Sequence, residues 1–369
     1  MRQREPAYIG IMVCPTPGPI PFLHRGFMRQ LSMVSQRLGI CTYVFAIDWI
    51  HWSQRKVKGF IYEPDTGRWL QRYFPLPRLI YDRAFFHRHA ERLRHRTQIK
   101  RLLQIPGVRL LGLGLSGKWE VHQILSSHAT LKQLLPRTER YRGVRTLRDW
   151  FDHTHEFILK PNCGTHGKGV FRLRRISRHL YELNGRSRDN MPIRRSFRNI
   201  EALFSAVHDR LVRGQSYLIQ QYISLQSTSG HPFDIRSLVQ KDGQGEWRVT
   251  GTAARIGPSG SITSNLHGGG IANETKTFLN AEYDVTTAEQ VFQSIHSLSL
   301  AIARTIEQGH GPLLELGLDF GVDPSGRVWL LEANSRPGRS SFLRMGNRQV
   351  RTAAIANPMR YARYALNQQ

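Results

Sequence analysis

The sequence predicts a mixed α/β (α+β) protein with more than one core, and three stretches carry that expectation. Tyr8–Cys14, Phe27–Leu38 and the run CTYVFAI after Gly39 read as strand, helix and strand, the spacing of a parallel βαβ unit. Thr287–Gln308 sets Val291, Ile295, Leu298, Ile302 and Ile306 at helical spacing, the stripe of a helix packed along one side. Glu315–Arg339 reads as two apolar strand runs joined by Asp323-Pro324-Ser325-Gly326. In that tetrad Pro presets one dihedral and Gly tolerates the next.

Size and composition bound the answer. A chain of 369 residues is long enough for two or three domains, and 40% hydrophobic content is ordinary for a globular protein. No run approaches the ~18 apolar residues of a membrane span, and the N-terminus MRQREPAYIGIMVCP does not read as a secretory signal. Cys14, Cys41 and Cys163 are too scattered for a metal spacing or a disulfide framework, which fits a reducing, cytoplasmic setting. The charge is the unusual feature: 53 Lys+Arg against 27 Asp+Glu, a net charge of +26. Such a balance favours a polyanionic partner, whether nucleic acid, an anionic membrane or an acidic polypeptide. Nucleic acid ranks last, because no readout motif or aromatic stacking platform accompanies the charge.

The remaining elements follow in order. GFIYEPDTGRWL is a hairpin and LPRLIYDR an extended run, closing a first α/β domain at about 1–110. Arg83–Arg101 is densely basic and reads as a solvated helix face, with a docking surface for an acidic partner as the alternative. GLGLSGK at Gly112–Lys118 matches G-x-x-x-x-G-K, yet Trp119 stands where a P-loop needs Ser or Thr, so that motif is rejected. Glu120–Leu135 is helical. FILKP is a strand, and the Gly-rich turn after it (Gly164, Gly167, Lys168, Gly169) can present backbone N–H groups to phosphate oxygens. Arg172–Arg198 reads as an exposed basic hairpin or insertion, Ile200–Val212 as a helix and YLIQQYISL as a strand. FDIRSLV and RVTGTAARI pair antiparallel, with Asp234 and Arg236 on one face and Arg255 on the partner. SNLHGGG brings bare backbone close to a bulky neighbour or is a flexible loop. Thr287 with Gln290 forms a capping box and Gly309 stops the helix.

The 315–339 hairpin carries the candidate chemistry. With Asp323 and Gly326 closing the turn as a pair, Asp319 lies across from Leu330 and Leu316–Leu318 run beside Leu331–Ala333. Period-two alternation then points Asp319, Glu332 and Asn334 to one face. Two carboxylates converging in an apolar setting repel each other and resist desolvation. Either the face is solvated and its acids pair with Arg336 and Arg339, or a hard cation sits among them; Mg²⁺ bridging to phosphates suits the ligand count.

The succession Lys118 before a helix, FILKP with its glycine loop, LIQQYI, DIR, Arg255, SNLHGGG, GLDF and LLEANSRPG resembles the ATP-grasp superfamily across roughly residues 111–345. The run from DIR to LEANSRPG is similar to the branch of ribosomal-protein glutamate ligases and other carboxylate–amine ligases. The N-terminal GIMVCPTPGP, YVFAIDWI, GFIYEPDTGRWL and LPRLIYDR look like the YheC/YheD endospore coat-associated family. The resemblance implies an ATP-grasp fold behind an N-terminal Rossmann-like pre-ATP-grasp domain at 1–110. It implies an ATP-grasp domain at 111–345, with a lid at about 155–222 and a metal-binding part at about 223–345, then a basic tail at 346–369. It implies ATP and one or two Mg²⁺ (or Mn²⁺) as cofactors. Lys118, Lys160 and the loop Gly164, Gly167, Lys168 and Gly169 then contact phosphates. Gln220, Gln221 and Ile223 line the adenine hinge. Asp319, Glu332 and Asn334 hold metal; Arg236, Arg255, Asn265 and Arg336 face the reacting carboxylate. The implied activity is carboxylate–amine ligation through an acyl phosphate, with an acidic polypeptide or spore coat proteins as partners. The alternative is a non-catalytic coat component.

Overall fold

Apolar strand runs separated by turns pair into three sheets, laid out one after another along the chain. The computed structural model describes residues 8–85, 89–164, 167–262, 264 and 269–368. The first sheet holds β1 (Tyr8–Met12), β2 (Cys41–Phe45), β3 (Ile50–His51), β4 (Lys56–Glu63), β5 (Arg68–Pro75), β6 (Leu79–Asp82) and β7 (Arg109–Leu110). Its order is β3-β4-β2-β1-β6-β7, with β5 on β4. β1 runs parallel to both β2 and β6, and parallel neighbours need a crossover, supplied here by α1 (Arg25–Arg37). The basic stretch after β6 forms α2 (His89–Leu103).

The second sheet holds β8 (Thr138–Arg140), β9 (Glu156–Pro161), β10 (Phe171–Ser177), β11 (Leu180–Arg186), β12 (Pro192–Phe197) and β13 (Tyr217–Gln221), in the order β12-β11-β10-β9-β13-β8. The arginine-rich segment 172–198 forms antiparallel hairpin strands, as expected, with exposed arginines on one side and an apolar side packed into the core. Phe171, Leu173, Tyr181 and Leu183 alternate with its polar residues and pack with Trp150 and Phe151 of α4 (Val144–His153) and Leu203 and Phe204 of α5 (Ile200–Ser205).

The third sheet holds β14 (Phe233–Lys241), β15 (Trp247–Ile256), β16 (Ile271–Asn273), β17 (Glu315–Val322) and β18 (Val328–Asn334), ordered β16-β15-β14-β17-β18. One face carries Phe233, Ile235, Val239, Leu316, Leu318 and Phe320. It packs on Val291, Ile295, Ile302 and Ile306 of the long helix α7 (Val285–His310), beside α6 (Thr275–Glu282). Two ends differ from the sequence expectation. The cap of α7 is Asp284, which accepts the Thr287 N–H at 3.0 Å, because Val285 and Thr286 join the first turn. The helix stops at Gly311, with φ of +104°, rather than at Gly309. The helix expected over 120–135 is also split, into α3 (Lys118–Ser126) and a 3₁₀ turn at Leu131–Leu134. Ser126 and Ser127 donate their hydroxyls back to the His122 and Ile124 carbonyls, competing with the next helical turn.

After α8 (Ser340–Arg344), the stretch expected as a basic tail forms the 20-residue helix α9 (Arg348–Asn367), packed into the molecule. Ile355, Met359 and Ala362 of α9 sit in the core of the first sheet, where arginines between them masked the apolar stripe in the sequence. A buried carboxylate locks the first sheet to the third. Glu315, 1% exposed, accepts from Tyr81 (2.6 Å), Arg83 (3.0 Å), Gln240 (2.9 Å) and Arg339. Burial alone pushes this carboxyl up; Arg339 and Arg83 outweigh it and hold it below its ordinary value.

Glu315→Gln keeps the shape and strands two buried guanidiniums, so it should cost about 3–5 kcal/mol in urea unfolding. The lowered carboxyl contributes stability that is complete above its unfolded value of 4.5 and lost as pH falls through the folded value. Acid titration of unfolding should therefore show a shallower loss below pH 4.5 in the variant than in the parent.

Candidate functional site

The face of the third sheet turned away from α7 is polar where β14, β17 and β18 meet. Cross-strand register sets Arg236 beside Asp319, and Asp319 beside Glu332. This pairing does not follow from the turn alone. The turn closes between Asp323 and Arg327, one residue longer than expected. A bulge then inserts Leu331 into β18, so Phe320 pairs with Leu330 while Asp319 pairs with Glu332. Leu330 and Ala333, three apart, both pack towards α7, which is the signature of the extra residue. The expected partner of Asp319, Leu330, is thus on the opposite face. The turn and the bulge each shift register by one, and together they return Glu332 and Asn334 to the face of Asp319.

Buried acids need compensation, and arginines supply it. Asp319, 7% exposed, accepts Arg236 Nε at 2.5 Å and Nη2 at 3.0 Å, and pairs with Arg255 Nη2 at 3.0 Å. Burial acts to raise its carboxyl, but Arg236 and Arg255 prevail and keep it below the ordinary range. Arg255 in turn forms a fork with Asp234 at 2.6 and 2.7 Å, and the Ser264 hydroxyl also donates to Asp234.

Two lysines reach this row from other elements. Lys118, the first residue of α3, donates to the Gly164 carbonyl at 3.0 Å and lies 3.4 Å from Glu332. Lys160 on β9 donates to Gln220 Oε1 at 2.8 Å and to the carbonyl of the bulge residue Leu331 at 3.2 Å. Burial, helped by the Lys118 charge and opposed by Glu332, lowers the Lys160 ammonium to about 8.

Between the second and third sheets lies a cleft of about 370 Å³. Its walls include Lys118, Lys160, Gly164, Gly167 and Lys168 on one side, and Arg255, Asp319 and Glu332 on the other. Gln220, Gln221 and Ile223 line its end, beside the apolar Ile158, Leu225 and Leu331. The Gln220 side chain accepts from Lys160 (2.8 Å) and donates to Thr138 Oγ1 (2.8 Å) at that end of the cleft. The Gln221 N–H is taken by the Arg137 carbonyl at 2.8 Å, whereas the Tyr222 and Ile223 N–H groups beyond the strand end have no backbone partner among the described residues. Gly169 does not line the cleft. Its N–H bonds the Arg186 and Ser187 carbonyls, and a Cβ there would come within 2.7 Å of the Tyr217 hydroxyl.

Arg236 sits behind Asp319, and Asn334 shares the face by register without lining the cleft. Arg336 turns to Asp82 of β6 and not to the cleft. Asn265 lies outside the described residues, as do 165–166 of the glycine turn, 86–88 of the basic stretch and 266–268 of the triple-glycine loop. Nothing in the sequence alone marks Asp234 as a partner of Arg255. Its spacing of two from Arg236 is visible, but its pairing with Arg255 is a register fact. Arg172 was likewise unassigned; it stacks on Tyr222 at 4.0 Å at the hinge end.

The residues fit a hard cation. Asp319 and Glu332 are neighbouring oxygen donors whose mutual repulsion is here cancelled by Arg236, Arg255 and Lys118. Among the described residues no group of three or more His, Cys, Asp or Glu is arranged for a metal. Two carboxylates line the cleft, with Asn334 on the same face but set back from it, a share that suits Mg²⁺ completed by phosphate and water oxygens.

A family model described as YheC/D-like ATP-grasp matches residues 107–365. The endospore coat-associated protein YheC of Bacillus subtilis (strain 168) is 28% identical over 316 residues, 85% of this chain and 85% of that protein. YheD of the same organism is 28% identical over 350 residues, 93% of this chain and 75% of that protein. Among solved structures, D-cycloserine synthetase DcsG is similar with TM-score 0.55 at 15% identity, covering 94% of this chain and 98% of that one. VanG D-Ala:D-Ser ligase from Enterococcus faecalis has TM-score 0.53 at 11% identity, covering 98% and 100%. At such identities these structures speak to the fold, a mixed α/β ATP-grasp architecture. No helix among the described residues is long and apolar enough to cross a membrane.

Lys160 must be protonated to meet a phosphate, and a bound triphosphate raises its pKa again. Calorimetric titration with Mg·ATP should thus give constant affinity below pH 8, falling up to tenfold per pH unit above it. Lys160→Met should bind at least ~10-fold more weakly at pH 7 and lose that pH dependence.

Proposed function

We propose, since the chain belongs to the YheC/D-like ATP-grasp family, that it joins a carboxylate to an amine with conversion of ATP to ADP and phosphate. One observation carries this reading: a cross-strand row of Arg236, Asp319 and Glu332 meets two lysines from separate elements in a single cleft. Each part has work to do in such a reaction. Adenine enters the apolar end and uses the Ile223 N–H. Lys118, Lys160, Lys168 and the amides around Gly164 and Gly167 neutralise the phosphates. Asp319 and Glu332, with Asn334 on the same face, would hold Mg²⁺, whose charge when bound would screen the γ-phosphate.

The carboxylate oxygen attacks the γ-phosphorus, the bond to ADP breaks, and an acyl phosphate forms. The amine nitrogen then adds to the acyl carbon. Inorganic phosphate leaves and a proton is released. Arg255, fixed by Asp234, faces the oxyanion of that addition, and planar guanidinium suits carboxylate recognition. Arg336, anchored on Asp82, ties this end of the cleft to the first sheet. The net charge of +26 supports an acidic polypeptide as one substrate. The names of the two Bacillus relatives support a place at the spore coat.

An ATPase screen over amino acids and acidic peptides, with mass spectrometry of the products, tests the reading. ADP should accumulate over many turnovers only when a carboxylate and an amine are both present, and the product should be heavier by the condensed residue. Glu332→Gln should lower this turnover by about 10²–10³-fold; unchanged turnover would falsify the assignment.

A further inference from the structure

Asp319 is shared by two guanidiniums, and the two are not equivalent. Arg236 commits both Nε (2.5 Å) and Nη2 (3.0 Å) to Asp319 and meets no second carboxylate among the described residues. Arg255 gives Asp319 a single contact at 3.0 Å and a full fork to Asp234 at 2.6 and 2.7 Å. Asp234 is itself 6% exposed and tied by the Ser264 hydroxyl.

A carboxylate has about four lone-pair sites, and three here already face guanidinium N–H groups. One site is left for a divalent cation, but a cation bound there would face the Arg236 fork, charge against like charge in a place with little water to screen it, which disfavours keeping every guanidinium contact. We infer that Asp234 decides which: Asp319 exchanges Arg236 for the divalent cation, Asp234 retains Arg255, and Arg236 is released towards the anionic end of the substrate. Asp234 is thus a positioning residue. Arg236, with a side chain only 11% exposed, cannot retire into solvent, so its release creates a carboxylate receptor only after the cation is loaded. Until then the site is held closed on itself, with an internal guanidinium standing where the cation goes. This inference rests on the proposed role of Asp319 as a cation ligand.

The test is a titration of free Mn²⁺, followed by electron paramagnetic resonance, on the full chain without nucleotide. Arg236→Gln removes the competitor and should tighten Mn²⁺ binding by about tenfold, the equivalent of about 1.4 kcal/mol. Arg236→Lys, which keeps the charge and loses the fork, should fall between the two. Asp234→Asn should weaken binding several-fold, because both arginines then converge on Asp319. Glu332→Gln should abolish binding at this site. Unchanged or weaker binding in both Arg236 variants overturns the exchange, and an unaffected Asp234→Asn overturns the part given to Asp234. If Glu332→Gln binds Mn²⁺ like the parent, the underlying cation assignment fails instead, so the two failures are separable. Should Arg236→Gln lower the melting midpoint sharply, Arg236→Lys carries the decision.

Discussion

The extra residue at Leu331 is the constraint on which the candidate site depends. Along β18, simple alternation from Val328 and Leu330, both in the core under α7, directs Glu332 and Asn334 into that same apolar core. An ionised glutamate there has no partner and a large desolvation cost. The bulge rotates the strand by one position, so Glu332 emerges beside Asp319 while Ala333 takes its place in the core. The displaced carbonyl of Leu331 is not wasted, because it accepts from Lys160. One irregularity therefore places an acid and fixes a base.

The rest of the site is a problem in charge compensation. Six of its ionisable groups, Asp234, Arg236, Arg255, Asp319, Lys160 and Glu332, lie within the cleft wall or directly behind it. Five of them are less than 10% exposed, a depth at which an unpaired charge costs far more than a surface one. Pairing across neighbouring strands answers this: Arg236 with Asp319, and Arg255 with Asp234, are direct cross-strand partners. Such pairs are short and geometrically fixed, and they hold the donor groups in place before any ligand arrives. Lys160 is the exception. It has polar neighbours and no acid at bonding distance, so burial and the Lys118 charge lower its ammonium to about 8.

The same logic joins the parts of the molecule. Glu315 begins the strand that carries Asp319 and takes hydrogen bonds from Tyr81 and Arg83 of the first sheet. Asp82 between them holds Arg336, which follows the strand that carries Glu332. The first sheet is thus anchored to both strands of the acidic hairpin, and its position relative to the cleft is set by buried ion pairs, not by surface contacts. Among the described residues the three cysteines are free thiols and have no part in this anchoring.

Much of this was legible in the chain itself. Period-two and period-3.6 patterns gave the parallel strand–helix–strand opening, the α7 stripe and the hairpin, because local sterics and burial act on neighbouring residues. The residue types of the site, two acids with an amide, lysines beside glycines, and arginines on alternating strands, were equally readable. Where one element meets another was not. Cap choice at Asp284 rather than Thr287, the burial of α9 beneath its arginines, the apolar rhythm inside Arg172–Arg198 and the withdrawal of Gly169 and Arg336 from the cleft all depend on partners distant in sequence. The sequence by itself determined which chemistry the chain carries. Only the tertiary structure decided which groups face one another, because register and bulges are set by packing across strands, and a shift of one residue turns every side chain to the other face.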